Sequence, residues 1–298
     1  MKTRQAGINR ITLGTASLGG AWHEVDPEHS ADVLLHALEE GITHLDTAPA
    51  YMDAEVIVGK ALKRWKGATP FISTKIGKRK GLANQENLAD YGTNAVKASI
   101  GRSLERLNRE YIDLVFLHEP DQLPAGKMNA VLDILHACQE QGTIKAIGLG
   151  GKPPPFLAPV IEEGHFRVVM DFNGYNLAER TALTTDFPYY RQHKLEIYEG
   201  SPLMMGLLGD RLEQYTISPP PWLPVKTILK ANKLKILARD ANMTLPAMAH
   251  RYLAFSENID RMVIGPDSLI QLQTTLKDIR KGPLDQSLLE NIDKTLNI

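Results

Sequence analysis

Asp46 and Tyr51 in THLDTAPAY, Lys75 in FISTK and His118 in LVFLH are the residues of this chain whose types and placement could do chemistry together. A phenol ordinarily ionises near pH 10, so a tyrosine that exchanges protons near neutrality needs a cation to stabilise its phenolate. Lys75 can supply that cation, Asp46 can hold it charged and in place, and His118 can hydrogen-bond beside the phenol and a substrate oxygen. Such a set suits moving a proton to a carbonyl oxygen, or from an alcohol, while another group moves the hydride. No side chain carries a hydride, so a nicotinamide cofactor is implied. Taken singly, each residue has an ordinary reading: the Asp as a cap, the Tyr as packing, the Lys and His as solvated groups. Their joint placement favours a site.

Each of the four stands at or just beyond the end of a short apolar run. The runs that read as strands are Arg10–Leu13, Thr43–Asp46, Phe71–Lys75, Asp113–His118, Ala146–Leu149, Val168–Phe172, Leu195–Glu199 and Met262–Gly265. Between them lie helix-like patterns with apolar residues three and four apart, such as Ala31, Leu34, Leu35 and Leu38, or Val96, Ile100, Leu104 and Leu107. Strands that are continuously apolar, such as DLVFLH and RVVMDF, suit a parallel sheet covered on both faces. Eight alternating pairs predict an α/β fold, a (β/α)8 TIM barrel, whose strand ends converge on one face. GLLGDRLEQYTISPPPWLP, between the seventh and eighth strands, reads as a loop long enough to reach over the barrel mouth, with helices following over Val225–Ala241 and Leu245–Ser256.

Composition sets the outer limits. The chain has 298 residues, 43% of them hydrophobic, and carries 34 basic and 35 acidic residues. That is ample for one large core, so residues 1–298 read as a single domain. A net charge of -1 draws the chain to neither nucleic acid nor an anionic membrane surface. The lone Cys138 reads as a buried structural thiol in a reducing, cytoplasmic setting. The polar N-terminus reads as no signal peptide, and no run of about 18 apolar residues reads as a span. A monomer is the expectation. The histidines do not cluster at metal-ligand spacing, so no metal site is expected and a metal-dependent barrel lyase or hydrolase is disfavoured.

Several longer segments resemble the aldo-keto reductase family, in order and from the first strand to the last: ITLGTASLGG, GITHLDTAPAYMDAEVIVGKAL, SIGRSLERLNREYIDLVFLHEPD, GTIKAIGLG and GSPLMMGLLGD. The resemblance implies a TIM barrel that binds NAD or NADP without a Rossmann fold. It makes Tyr51 the acid/base, with Asp46, Lys75 and His118 completing its tetrad. It also assigns Gly14, Thr15 and Asp46 to the cofactor. Ser201, Pro202 and Leu203 fall to the pyrophosphate turn, and Gly265 to Gln271, Asp267 included, to the adenosine end. GLGG at Gly148–Gly151 lacks the remaining features of a dinucleotide fingerprint and reads as turn chemistry.

The chain departs from the family pattern at its nicotinamide end. Gly150 and Gly151 stand where many members carry Ser-Asn, Phe172 where a glutamine is common, and Gly200 where an aromatic residue often stacks on the nicotinamide. At the adenosine end GPDSLIQLQTTL carries Asp267 and no Lys or Arg, which disfavours a 2′-phosphate and leans to NAD. HEPD, the lost Ser-Asn and SPLMMGLL resemble the branch of L-galactose, L-fucose and D-threo-aldose 1-dehydrogenases. The implied activity is hydride transfer between NAD(P) and a small carbonyl or aldose. The alternative is a nucleotide-binding auxiliary or regulatory barrel subunit without turnover, which an intact tetrad disfavours. Trp22, Tyr51 and His118 are the expected substrate contacts, with Trp222, His23 and Glu24 as weaker candidates.

Overall fold

The computed structural model describes residues 7–79 and 88–296. The apolar runs become β1 (Ile11–Gly14), β2 (His44–Asp46), β3 (Phe71–Ile76), β4 (Leu114–His118), β5 (Ile147–Gly150), β6 (Val168–Phe172), β7 (Glu196–Gly200) and β8 (Arg261–Ile264). Every strand boundary lies within one residue of the run read from sequence. All pairings are parallel and follow chain order, and β1 pairs with both β8 and β2, which closes a (β/α)8 barrel. Lys78–Arg79 and Leu88–Ala89 form a separate two-stranded ribbon beyond β3.

Strand residues alternate between the barrel interior and the surrounding helices. Phe116, Val168, Met170, Tyr198 and Val263 pack together inside. Val115, Leu117, Val169 and Ile197 join the outer core with helix residues such as Leu34, Val96 and Ile100. His118, Phe172 and Gly200 each follow an interior residue by two, so they face inward at the mouth. Register then brings Asp46 opposite Ser73, Lys75 opposite Phe116, His118 opposite Gly150, and Phe172 opposite Gly200.

The opposite end is sealed by Arg261, which donates to Thr12 Oγ1 at 3.0 Å, to the Asn9 carbonyl at 2.9 Å and to His44 Nδ1 at 2.7 Å. Burial, with the nearby Arg261 charge, depresses His44 to about 3, so its ring accepts that bond as a neutral base.

Three local readings need correction. The stretch read as a loop over the mouth contains a helix, Leu212–Ile217, and its Leu207, Leu208, Leu212, Tyr215 and Leu223 are buried in a second apolar core with Ile228, Ala231 and Leu234. Leucines too irregularly spaced for a periodic signal still pack, because short turns present them to one surface. Gly148 lies within β5 instead of a turn; a Cβ there would meet the Phe116 ring at 2.7 Å, so the glycine makes room for an interior phenyl. Cys138 is half-buried, packed against the core from the helix Met128–Glu140.

On the outward phase of β6 and β7, Asp171 and Glu199 face each other in register, 6% and 0% exposed. Glu199 Oε1 accepts the Tyr175 N–H at 3.3 Å, while Asp171 Oδ2 and Glu199 Oε2 have no hydrogen-bond partner among the described residues. Burial, and next the Asp186 charge, raises Asp171 from 3.8 to about 6; burial and then Asp171 raise Glu199 well above its ordinary value. The native state therefore binds these protons more tightly than the unfolded chain. Their contribution to stability is full below the unfolded carboxyl range and is lost as pH rises through the folded values. A two-unit shift corresponds to roughly 3 kcal/mol. Urea unfolding between about pH 5 and pH 8 is expected to show stability falling with pH, and a shallower fall in Asp171→Asn and in Glu199→Gln. Superimposable pH dependences in wild type and both variants would refute the assignment.

Candidate active site

Parallel pairing of β2 with β3 puts two oppositely charged groups side by side inside the mouth. Lys75 Nζ lies 2.5 Å from Asp46 Oδ2, with both residues 2% exposed, and donates a second bond to the Thr47 carbonyl at 3.0 Å. The Ser73 hydroxyl donates to Asp46 Oδ1 at 2.7 Å, so both carboxylate oxygens are engaged. Phe116 closes the site below, its ring centroid 5.8 Å from Lys75 Nζ. Ser73 escaped sequence reading because a small polar residue inside a strand carries no signal without its register partner.

Tyr51 leaves the end of β2 in a tight turn, its N–H donating to the Ala48 carbonyl at 3.0 Å and its carbonyl accepting from Ala54 at the start of the helix Ala54–Arg64. The loop after β1 presses on this turn at Gly19, where a Cβ would stand 2.3 Å from the Tyr51 carbonyl oxygen and 2.4 Å from Ala54 Cβ. Only glycine allows that approach. The half-buried Tyr51 ring then sits with its centroid 4.7 Å from Lys75 Nζ and 5.6 Å from the His118 ring, edge-on at 85°. The four residues separated in sequence are brought together here.

His118 is fixed from behind. The buried Tyr91 hydroxyl donates to its carbonyl at 2.7 Å, and Lys78 pairs with the adjoining Glu119 at 2.5 Å. Burial, and then the Lys75 and Lys78 charges, hold His118 well below the ordinary imidazole range, so it is neutral at pH 7. Its Nδ1 is buried without a partner among the described residues. Burial raises Tyr51 above its ordinary value of 10.0, against the opposing pull of Lys75. For Lys75 burial acts downward, but the Asp46 and Tyr51 charges outweigh it and the net displacement is upward. The site therefore offers a neutral phenol, a fixed ammonium and a neutral imidazole, a set able to deliver or receive one proton at an oxygen.

The ends of β7 and β8 have the features a dinucleotide needs. Ser201, Met204, Met205 and Gly206 all have positive φ, from 49° to 91°. The turn is pinned by the Met204 N–H to the Ser201 carbonyl at 2.7 Å and the Met205 N–H to Ser201 Oγ at 3.1 Å. Pro202 is buried and Leu203 partly so. The turn uses the N–H groups of Met204, Met205 and Gly206 internally and leaves that of Leu203 without an acceptor among the described residues, available to an anion. Beyond β8 no heavy atom lies within 4 Å of where a Gly265 Cβ would sit, and the helix Leu269–Ile279 begins with its free first-turn donors. These residues fit a diphosphate held largely by backbone.

Other expected cofactor residues are placed as follows. Ser268 caps that helix, accepting the Gln271 N–H at 3.3 Å, while the Gln271 side chain accepts the Asp267 N–H at 3.2 Å. Asp267 is exposed, and its carboxylate makes no hydrogen bond among the described residues. Gly14 ends β1, where a Cβ would lie 3.3 Å from the Ile264 carbonyl oxygen. Thr15 is buried, its N–H and hydroxyl both donating to the Asp46 carbonyl at 2.9 and 3.0 Å, so it positions β2. Trp22 is 65% exposed, with His23 and Glu24 exposed beside it. Trp222 packs edge-on against Tyr215 at 6.0 Å, and the Tyr215 hydroxyl donates to the Met205 carbonyl of the β7 turn.

The Aldo/keto reductase family profile matches residues 10–297. L-galactose dehydrogenase of Arabidopsis thaliana is 24% identical, the alignment covering 97% of this chain and 91% of that protein. D-arabinose 1-dehydrogenase of Saccharomyces cerevisiae is 27% identical over 98% of this chain and 91% of its own. Among solved structures, the glycerol dehydrogenase of Gluconobacter oxydans has a TM-score of 0.78 at 24% identity, covering 96% of this chain and 91% of that one, which is a likeness of fold.

Removing one partner of the buried ion pair should be far costlier than removing the phenol hydroxyl. Lys75→Met leaves the Asp46 carboxylate uncompensated and is expected to lose about 3–5 kcal/mol in urea unfolding. Tyr51→Phe keeps the pair intact and should stay within about 1 kcal/mol of wild type. Equal losses in the two variants would contradict this division of roles.

Proposed function

The chain belongs to the aldo/keto reductase family, and from that premise we propose that it is an aldose dehydrogenase preferring NAD, with Tyr51 as its acid/base. Membership makes it an NAD(P)-dependent oxidoreductase in a TIM barrel. The observation that carries Tyr51 as the acid/base is Lys75 Nζ held between the Asp46 carboxylate at 2.5 Å and the Tyr51 ring at 4.7 Å, beside a neutral His118. We take residues 1–298 as one catalytic domain, acting as a monomer in the cytoplasm.

When bound, the nicotinamide takes or gives the hydride. Everything else falls to the protein. In sugar oxidation the Tyr51 phenolate, stabilised by Lys75, removes the proton from the anomeric hydroxyl and leaves a lactone carbonyl. In aldehyde reduction the neutral phenol returns that proton to the developing alkoxide, since one group must serve both directions. His118 hydrogen-bonds the same oxygen without titrating near neutrality. Asp46 keeps Lys75 charged, and Ser73 and Thr15 keep Asp46 in place. The turn at Ser201, Pro202 and Leu203 and the helix beyond Gly265 would hold the diphosphate, with Gln271 at the adenosine end. Trp22 offers an exposed aromatic wall on which the C–H face of a sugar packs. The sugar class is supported by the likeness to L-galactose and D-arabinose 1-dehydrogenases across nearly the whole chain.

NAD preference rests on Asp267. Helix capping is already supplied by Ser268, which leaves this exposed carboxylate to accept hydrogen bonds from ribose hydroxyls and to repel a 2′-phosphate. Repulsion between a carboxylate and a phosphate dianion a few ångströms apart in water is on the order of 1.5 kcal/mol.

Turnover of a panel of aldoses with NAD or NADP, and of aldehydes with NADH or NADPH, tests the reading directly. Sugars are expected to be oxidised faster with NAD, and Tyr51→Phe to lose about a hundredfold or more in kcat. Asp267→Ser should reduce the NAD to NADP ratio of kcat/KM by on the order of tenfold. Aldehyde reduction by NADPH alone would refute both the sugar assignment and the role of Asp267. In pH–rate profiles, sugar oxidation should rise with pH below the Tyr51 pKa, because the base is the phenolate, and aldehyde reduction should stay level until that pKa is approached. Neither should show a limb near 6.5, the ordinary imidazole value, because His118 stays neutral there.

A further inference from the structure

Two half-buried histidines far apart in sequence meet on the outside of the barrel. His136 lies in the helix Met128–Glu140, which runs back from the mouth after β4, and His165 lies shortly before β6. The pair therefore sits toward the end opposite Tyr51. Gly164 sets the approach of the second ring. Its φ of 83° is left-handed, its N–H donates to the Ile161 carbonyl at 3.0 Å, and the short helix Ala158–Glu162 ends there. The chain turns, and the His165 ring is delivered onto the neighbouring helix.

His165 Nδ1 stands 3.2 Å from His136 Nε2, and Glu163 Oε2 stands 3.1 Å from His165 Nε2. With the carboxylate accepting the Nε2–H, His165 presents a bare Nδ1 lone pair to its neighbour. A proton on His136 Nε2 then fills the space between the rings. In the other tautomer of His136, with the proton on Nδ1, two lone pairs face that space. The rings are tilted by 36° with centroids 4.9 Å apart. A straight N–H···N bond along both ring axes would separate the centroids by about 5.5 Å. The shorter spacing fits axes bent toward a common point. Axes converging symmetrically at these distances meet about 2.2 Å from each nitrogen, close to the imidazole–metal bond of about 2.0–2.1 Å.

We infer that His136 and His165 form a two-histidine site for a nitrogen-preferring divalent cation such as Zn²⁺ or Cu²⁺. Glu163 is the carboxylate that fixes the His165 tautomer and raises its basicity, as carboxylates behind metal-bound imidazoles do. Among the described residues no three His, Cys, Asp or Glu side chains meet at one point, so water completes the coordination. Asp133 and Glu140, exposed and one turn to either side of His136 on its helix, add negative charge around a cation. The ion would tie the helix Met128–Glu140 to the chain entering β6. Its effect falls on stability, because binding to the folded state alone stabilises that state by mass action. Spacing along the chain gave no sign of the pair, since 29 positions separate the two rings.

Metal-stripped protein titrated with ZnCl₂ in a calorimeter, beside thermal unfolding with and without zinc, tests the site. Wild type is expected to bind one equivalent that His136→Gln and His165→Gln each fail to bind at the same concentrations. Zinc should raise the melting temperature of wild type and of neither histidine variant. Glu163→Gln, an exposed substitution that leaves both ligands in place, should weaken binding by about tenfold. MgCl₂, whose cation prefers oxygen ligands, should produce neither heat nor stabilisation at this site. Absence of zinc binding in wild type would overturn the proposal. So would equal affinity in wild type and either histidine variant, which would assign the bound zinc to other side chains.

Discussion

A charged lysine sealed inside the mouth of the barrel is the constraint around which the site is arranged. Bringing an ammonium and a carboxylate out of water costs several kcal/mol per ion, and their attraction repays it only with good geometry and further hydrogen bonds. Lys75 and Asp46 have both: a 2.5 Å contact, the Thr47 carbonyl for the ammonium and the Ser73 hydroxyl for the carboxylate. Such a pair is a poor source of net stability. Its value here is positional, because a fixed ammonium beside Tyr51 favours the phenolate that burial opposes. Gly19, Thr15 and Tyr91 then serve the same end by setting the Tyr51 turn, the end of β2 and the backbone of His118.

The strand period decides which charges can be used. Asp46, Lys75 and His118 occupy inward positions at strand ends and meet in the mouth. Asp171 and Glu199 occupy outward positions on β6 and β7 and meet each other, enclosed by strands and helices. The same residue types therefore have opposite outcomes. Inside, a carboxylate is paired with an ammonium and held for chemistry; outside, burial raises the proton affinity of both carboxyls, Asp186 adds to it at Asp171 and Asp171 adds to it at Glu199. A shift of one residue in either strand would exchange these environments.

Much of this was legible in the sequence. The strands were legible because parallel barrel strands are covered on both faces and so read as unbroken apolar runs. The tetrad was legible because its members end three such runs, and the fold has one face where run ends converge. Ser73 and Tyr91 were not, since a hydroxyl acquires its role from a register partner or a carbonyl many positions away. The buried acid pair was not, because two carboxylates 28 positions apart look like solvated residues until pairing of β6 with β7 opposes them. The segment before Pro224 misled for a different reason: turns and a helix of only six residues present leucines to one surface without a period.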